Sequence, residues 1–549
     1  MILLIVGASL CLHTAVFAAT QPSAGTILNN PGAPSTVREK TAPGLEVGPK
    51  PPENAPTENG PTIKVNAIHI TGQTIYGEEK LLPLVQDGIG KDLTLSDLET
   101  FAGRITAYFH KHGYLVANAY IPAQTVKDGT VEIAVIAGQY GKIDIRNHSE
   151  LETNAAVNLL GSLKSGDYVK RDKLERTLLL LNDTSGITAK ATLVPGAVLG
   201  TTDLIIDIHD AVKTNGAVYA DNWGNRYTGT NRIGFSMNIN DLSGKGDMLN
   251  IGGAYTGVGM NDYSLTYLLP TDGQGNKLGV GYSQMHYALG EDFASLNASG
   301  LAKTTSLFES FVLTRSRNFN LNGRIEYDSK QLVDRIDSIL YCSRKRADVV
   351  VVGLNGDSRD AFGGGGVNSF ALTYTGGYMN MESADAKAND SYGAGGGYGK
   401  TNLDLSRLQA INNRLNLFLS FTGQLADTNL DSSEKLQIGG PTGVRAYPVG
   451  EAPSDDGYIF TRELRWDLPT SDFQLAAFYD SGKAILNKNA QAGDVNSRIL
   501  AGAGLGLRWN RPDYFSIRLD YAWKITTSDL ATADKDKKGR LWLQGVKYF

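Results

Sequence analysis

The chain of 549 residues has a formal net charge of -5 and 41% hydrophobic residues, too polar for a bundle of membrane-crossing helices and too apolar for a disordered polymer. The acidic balance gives no basic footprint for nucleic acid, and two cysteines with seven scattered histidines offer neither a disulfide framework nor zinc-ligand spacing. No metal and no cofactor is expected, while 63 glycines and 25 tyrosines suit alternating strands bordered by aromatic girdles.

Residues 1–19 have the form of a secretory signal: the apolar run ILLIVGASLCL followed by small residues up to Ala19. Cys11 lies in this removable segment and follows Leu10, a poor fit to lipid-anchor processing, so Cys342 is left without an intrachain partner. From 20 to 61 the composition is that of a linker rich in Pro, Gly, Asn and Thr.

Regular structure is expected from Ile63, where IKVNAIHITG alternates as a strand. The stretch LTLSDLETFAGRITAYFHKHGY places Leu98, Phe101, Ile105 and Tyr108 on one helical face, with a capping box at Ser96 and Glu99 and a stop at Gly113. The strands LVANAYI and TVEIAVIAG complete a small α+β unit, 62–138. A second unit, 139–212, has the strand GKIDIRN, helices at LETNAAVNLLGSL and KRDKLERTLLLLND, and strands ITAKATLV and TDLIIDIHD. Both are too small to bury an active site, but their sheet edges can accept an added strand.

From 213 to 549 helical periodicity vanishes. In RIGFSMNIN, Ile233, Phe235, Met237 and Ile239 share one face; in YFSIRLDYAWK, Phe515, Ile517, Leu519, Tyr521 and Trp523 oppose Arg518, Asp520 and Lys524. An apolar outer face with charges inside is the pattern of a transmembrane β-barrel, and the span allows about 16 antiparallel strands. The last strand, LWLQGVKYF, is suited to closing it.

Three stretches together resemble the two-partner secretion transporters, the TpsB family of haemolysin secretion and activation proteins. In the first, FHKHGYLVANAYIPAQTVKDGTVEIAVIAGQYGKI, the residues Gly113, Tyr114, Pro122, Gln124, Gly129 and Gly138 look like the family's first POTRA pattern. The second, GGPTGVRAYPVGE, resembles the VRGYP motif of a long extracellular loop that folds back into the barrel, here Gly443, Val444, Arg445 and Tyr447. The third, FYDSGKA, matches a barrel-wall motif at Phe478, Asp480 and Gly482. One departure stands out: the family has Gly where this chain has Ala446, and Ala tolerates positive φ poorly.

The resemblance implies two small α+β POTRA domains in the periplasm, ahead of a β-barrel in the cell outer membrane. It implies a transporter, not an enzyme, whose POTRA domains recognise an unfolded TpsA-like exoprotein that the barrel then exports; Gly113, Tyr114, Pro122 and Gln124 are its candidate contacts. It also implies a candidate pore-plugging segment within 20–61. Outer-membrane lipid and the barrel-assembly machinery are the other expected partners. A barrel-assembly factor and a diffusion porin are the alternatives.

Strand parity adds a physical argument. In FQLAAFYDSG the phase that turns Leu475 and Ala477 outward turns Phe478 and Asp480 into the lumen, where Arg445 on an infolded loop can bind the carboxylate bidentately. The plainer reading is that both are solvated charges in a wet lumen. In GYIFTRELRWDLP, Glu463, Arg465 and Asp467 share the lumen face as structural charge pairs, while Arg462 falls on the opposite parity. The cluster GGGG at 363–366 reads as a barrel turn, not a phosphate cradle.

Overall fold

The computed structural model describes residues 22–28, 45–47, 60–469, 472–526, 530, 534 and 537–549. Residues 1–19, expected to form a secretory signal, lie outside them. The chain begins with α1 (Ala24–Leu28) and β1 (Leu45–Val47). Next come β2 (Ile63–Lys64), β3 (Ala67–Thr71), α2 (Glu78–Leu81), β4 (Asp92–Leu93), α3 (Leu95–Lys111), β5 (Asn118–Tyr120) and β6 (Thr130–Ile136).

The apolar stripe of α3 covers the sheet β3-β6-β5, and Leu98, Phe101, Ile105 and Phe109 pack against Val131, Ile133 and Val135. Each such buried side chain contributes about 1.5–3 kcal/mol. The capping box differs from expectation: the Thr94 hydroxyl accepts the Asp97 N–H at 3.2 Å, and the Asp97 carboxylate accepts the Thr94 N–H at 2.9 Å. The Thr94 main-chain N–H, and the Thr94 hydroxyl that also donates to the carboxylate, hold the Asp97 carboxyl below the usual aspartate range. Ser96 and Glu99 lie inside the helix, because the extended residue at which the chain enters it is Thr94. The first strand is also broken, since Asn66 turns aside to bond the Asp128 and Gly129 carbonyls. The strand expected over LVANAYI shrinks to three residues because its start is drawn into the neighbouring unit.

That unit comprises β7 (Gln139–His148), α4 (Thr153–Leu159), α5 (Arg171–Asp183), β8 (Ile187–Pro195) and β9 (Thr201–Asp210). Its sheet order is β1-β8-β9-β7, so a three-residue strand from the linker region lies parallel on the β8 edge, with Leu45 opposite Ala191 and Val47 opposite Leu193. The two units are joined by main-chain bonds, the Leu115 N–H to the Val169 carbonyl and the Arg171 N–H to the Gly113 carbonyl.

A closed, antiparallel barrel of sixteen strands follows. Its first half is β10 (Thr214–Asp221), β11 (Arg232–Asn240), β12 (Met248–Tyr255), β13 (Met260–Pro270), β14 (Lys277–Ala288), β15 (Ala298–Arg315), β16 (Phe319–Ile336) and β17 (Tyr341–Asp360). The second half is β18 (Gly366–Met381), β19 (Gly396–Ala410), β20 (Leu415–Ala426), β21 (Asp456–Asp467), β22 (Phe473–Ile485), β23 (Ser497–Arg511), β24 (Phe515–Lys524) and β25 (Gly539–Tyr548).

The seam pairs β10 with β25, from Ala217 opposite Tyr548 to Asp221 opposite Gln544. No described helix is long and apolar enough to cross a membrane, and closure of the barrel leaves the sheet without a free edge. The second unit docks on the barrel's rim through ion pairs, Arg315 to Asp183 at 2.6 Å and Arg317 to Glu175 at 2.9 Å. That contact puts the second unit at the end of the barrel that carries the β15–β16 turn, and the connection at 427–455 leaves from the opposite end.

Candidate functional site

The connection between β20 and β21, residues 427–455, turns back into the lumen and brings Arg445 to the barrel wall. Alternation on β22 points Ala476, Phe478 and Asp480 inward and leaves Leu475 and Tyr479 exposed. Arg445 Nε and Nη2 grip the two Asp480 oxygens at 2.8 and 2.9 Å, and the Arg445 main-chain N–H adds a third bond at 3.2 Å. Arg445 Nη1 donates to Glu463 at 2.7 Å and to Asp520 at 3.2 Å. The guanidinium carbon lies 3.3 Å above the Phe478 ring. Both partners are almost wholly buried, Arg445 at 2% and Asp480 at 0% exposure.

The network extends along the inner wall. Arg508 bonds Asp520 at 2.6 Å and Glu463 at 3.3 Å; Arg518 bonds Asp520 at 2.8 Å; Arg465 bonds Glu463 at 2.9 Å. Three carboxylates thus face four guanidinium groups, which meets the demand that buried charges be paired. Asp467 accepts from Gln474 and Asn416 at the lower edge of the same face. Arg462, of opposite parity, points outward, its guanidinium 3.9 Å above the Phe460 ring.

Small residues let the loop tip approach. A methyl group on Gly482 would meet Ile438 at 2.6 Å and Val444 at 3.3 Å, and one on Gly443 would meet the Ile438 carbonyl at 2.2 Å. Tyr447 is wholly buried, bonding Thr526 at 2.5 Å, and Trp542 donates to the Arg445 carbonyl at 2.7 Å. Ala446 is absent from the residues with positive φ, so the alanine introduces no left-handed strain. Its methyl instead packs where Gly502 of β23 carries no side chain, since a Cβ there would lie 2.5 Å from it.

The stem of the loop has an anchor that no motif marks. Glu434 binds Lys330 at 2.7 Å and Lys400 at 3.0 Å, and Asp431 binds Lys345 at 2.6 Å, tying the stem to β16, β17 and β19. The segment 22–28 also lies inside the barrel. The Ala24 N–H donates to Asp334 at 2.7 Å, Gln437 donates to the Thr26 carbonyl at 2.6 Å, and Ile27 lies among Met260, Met285, Tyr287 and Leu332.

The remaining sequence candidates lie in the first unit. Gly113 has φ +88°, open to glycine, and its carbonyl enters the joint with the second unit. The Tyr114 ring is buried there between Phe109 and Tyr168, with Lys170 Nζ 5.1 Å above it. Gln124 closes the turn before β6 by bonding the Glu132 N–H and carbonyl and, at 3.3 Å, the Pro122 carbonyl. These residues brace the unit.

Comparison with known proteins agrees with this architecture. Residues 200–509 match the family described as haemolysin secretion/activation protein ShlB/FhaC/HecB, and residues 63–138 match the POTRA domain of ShlB type. The chain is 28% identical over 502 residues to the heme/hemopexin transporter protein HuxB of Haemophilus influenzae strain 86-028NP, covering 89% of this chain and 87% of that protein. It is 22% identical to the outer membrane transporter CdiB of Escherichia coli O6:K15:H31, over 78% of this chain and 73% of the relative. The solved structure of CdiB from Escherichia coli superposes with a TM-score of 0.68 at 19% identity, covering 91% of this chain and 93% of that one.

Proposed function

We infer the working of this protein from one premise: it belongs to the haemolysin secretion/activation protein ShlB/FhaC/HecB family, and it is an outer-membrane transporter of two-partner secretion. It exports a TpsA-like partner exoprotein through its β-barrel, with its POTRA region in the periplasm. The reading includes no chemical reaction. The division we propose is a removable leader at 1–19, a linker with a plug segment at 20–61, POTRA 1 at 62–138, POTRA 2 at 139–212 and the barrel at 213–549.

The single observation that carries the mechanism is the buried Arg445–Asp480 clamp, which fixes an extracellular loop inside the pore. We assign the loop tip the role of a permanent strut and the segment 22–28 the role of a removable stopper. The strut is held by charges desolvated on both sides, whereas the stopper is held by a few hydrogen bonds and by apolar contacts of Ala24, Ile27 and Leu28.

Partner capture falls to the sheet edges of the POTRA units. The β8 edge already carries β1, a strand from the chain's own linker, which supports added-strand recognition there. Folding of the emerged partner outside the cell supplies the direction of transport. The likeness to a heme/hemopexin transporter makes a heme- or hemopexin-binding exoprotein the first partner class to test. Lipid contact along the barrel wall and assembly by the barrel-insertion machinery are part of the same proposal.

Deleting the gene and comparing culture medium and outer membrane by quantitative proteomics tests the reading. One large protein should vanish from the medium while other barrels keep their abundance. A joint fall of many barrels would instead make the chain an assembly factor.

A further inference from the structure

Strands β15 to β18 run for 18, 18, 20 and 16 residues, longer than a bilayer requires of a strand, so their upper ends stand clear of the hydrocarbon. The level at which they leave it is marked. On the outward face Ile325 of β16 and Val350 and Val352 of β17 are exposed apolar residues; Tyr327 lies level with Val350, and Tyr282 and Tyr378 stand in the next row above, together an aromatic girdle.

Above the girdle cations enter the outward positions, beside Leu301, Gln331 and Val333. Lys345 and Lys330 face the lumen, where Asp431 and Glu434 hold them, so parity sends Arg344 and Arg346 of β17 and Arg335 of β16 outward. Ala302 is buried inside, which sends Lys303 of β15 outward as well. The register sets Lys303 and Arg346 on either side of Gln331. Arg344 stands two residues further up β17, a step of about 6.7 Å, and Arg335 pairs with Cys342 in the next row.

Of the nearby carboxylates, Asp348 is already engaged by the Tyr327 hydroxyl at 2.8 Å and Arg346 at 3.4 Å, and the exposed Glu382, whose main-chain N–H bonds the Arg344 carbonyl, stands just past the end of β18. The side chains of Lys303, Arg335 and Arg344 meet no hydrogen-bonding or ion-pair acceptor among the described residues. Lys303, Arg335 and Arg344 lie within a few residues of Arg346 on one side of the barrel, and among the described residues only Arg346 of the four is answered by an ion pair, with Asp348, which leaves a local positive field.

We propose that this outward patch, Lys303, Arg335, Arg344 and Arg346, binds the phosphate groups of a phosphorylated glycolipid in the outer leaflet. The patch is continuous with the lipid-facing band and lies at headgroup level, directly above the tyrosines, which favours a lipid over a soluble protein. Guanidinium groups match phosphate oxygens in paired geometry, and the neighbouring Gln331 and Tyr378 can take the sugar hydroxyls. Such a lipid would belt the long-strand side of the barrel while the loop inside it remains docked.

The test uses the purified full-length chain in detergent with bis-phosphorylated lipid A as probe, beside the dephosphorylated lipid and inorganic phosphate. Replacing all four residues (K303A, R335A, R344A and R346A) should weaken lipid A binding by at least about tenfold, each cation near an anionic surface counting for about 1 kcal/mol. Dephosphorylated lipid should bind the wild type weakly, and millimolar inorganic phosphate should leave bound lipid A in place. Equal binding by the fourfold variant, or equal binding of the dephosphorylated lipid, would overturn the proposal; displacement by inorganic phosphate would reduce it to a free-phosphate site. The variant R344Q/R346Q and the heat-dependent gel shift of the folded barrel separate lost binding from lost fold. Export of the partner by the variants reports independently on the transport reading.

Discussion

The two ends of the loop at 427–455 are both held by buried charge, but in different ways. At the tip, the planar guanidinium of Arg445 meets Asp480 through two parallel bonds and rests on Phe478. At the stem, the ammonium groups of Lys330, Lys400 and Lys345 meet Glu434 and Asp431 as point charges on flexible stems. A guanidinium fork fixes orientation as well as position, whereas an ammonium group tolerates rotation and re-solvation. On the proposed mechanism the tip is the rigid anchor and the stem is the hinge that shifts when a polypeptide shares the lumen.

The largest effect on this contrast should come from Arg445→Ala. It strands Asp480 and weakens the compensation of Glu463 and Asp520, a loss of about 3–5 kcal/mol for a broken buried pair. Measured by protease attack on intact cells, the loop should become cleavable while the barrel keeps its heat-dependent gel shift. Glu434→Gln should cost less, about 1.5–3 kcal/mol for lost charged hydrogen bonds. It should raise the frequency of channel openings in planar bilayers without exposing the tip to protease. Gly502→Ala should be smaller still, about 1–3 kcal/mol of overpacking against the Ala446 methyl, and most of it should be recovered when Ala446 is replaced by Gly in the same chain. Failure of that rescue would mean that Gly502 is needed for the ladder and not for the tip.

Much of the tip was legible in advance because a barrel strand has a period of two. Once FQLAAFYDSG is read as a strand with Leu475 outward, Asp480 has to be inside, and YFSIRLDYAWK does the same for Arg518 and Asp520. What parity cannot give is which inward charges meet across strands. Arg508 and Asp520 thus became partners of Glu463 and Arg445 only with the register in hand.

The stem was illegible for another reason. Strands β15 to β18 continue beyond the bilayer, so their apolar alternation fades before they end, and nothing in Lys330 or Lys345 distinguishes an inward cation from a solvated one. The five residues of α1 are too few to show any helical period. At the start of α3 two overlapping patterns, Thr94 with Asp97 and Ser96 with Glu99, compete for the cap. The local turn into the helix decided between them.

Export is the measurement that bears most directly on the strut-and-hinge account. Strains carrying Arg445→Ala or Glu434→Gln, matched for barrel content in the outer membrane, should be compared for partner protein released into the medium. The account predicts that Arg445→Ala releases only a small fraction of the wild-type amount while Glu434→Gln retains most of it. Equal release by the two variants would contradict it, because the tip would then carry no more of the function than the stem.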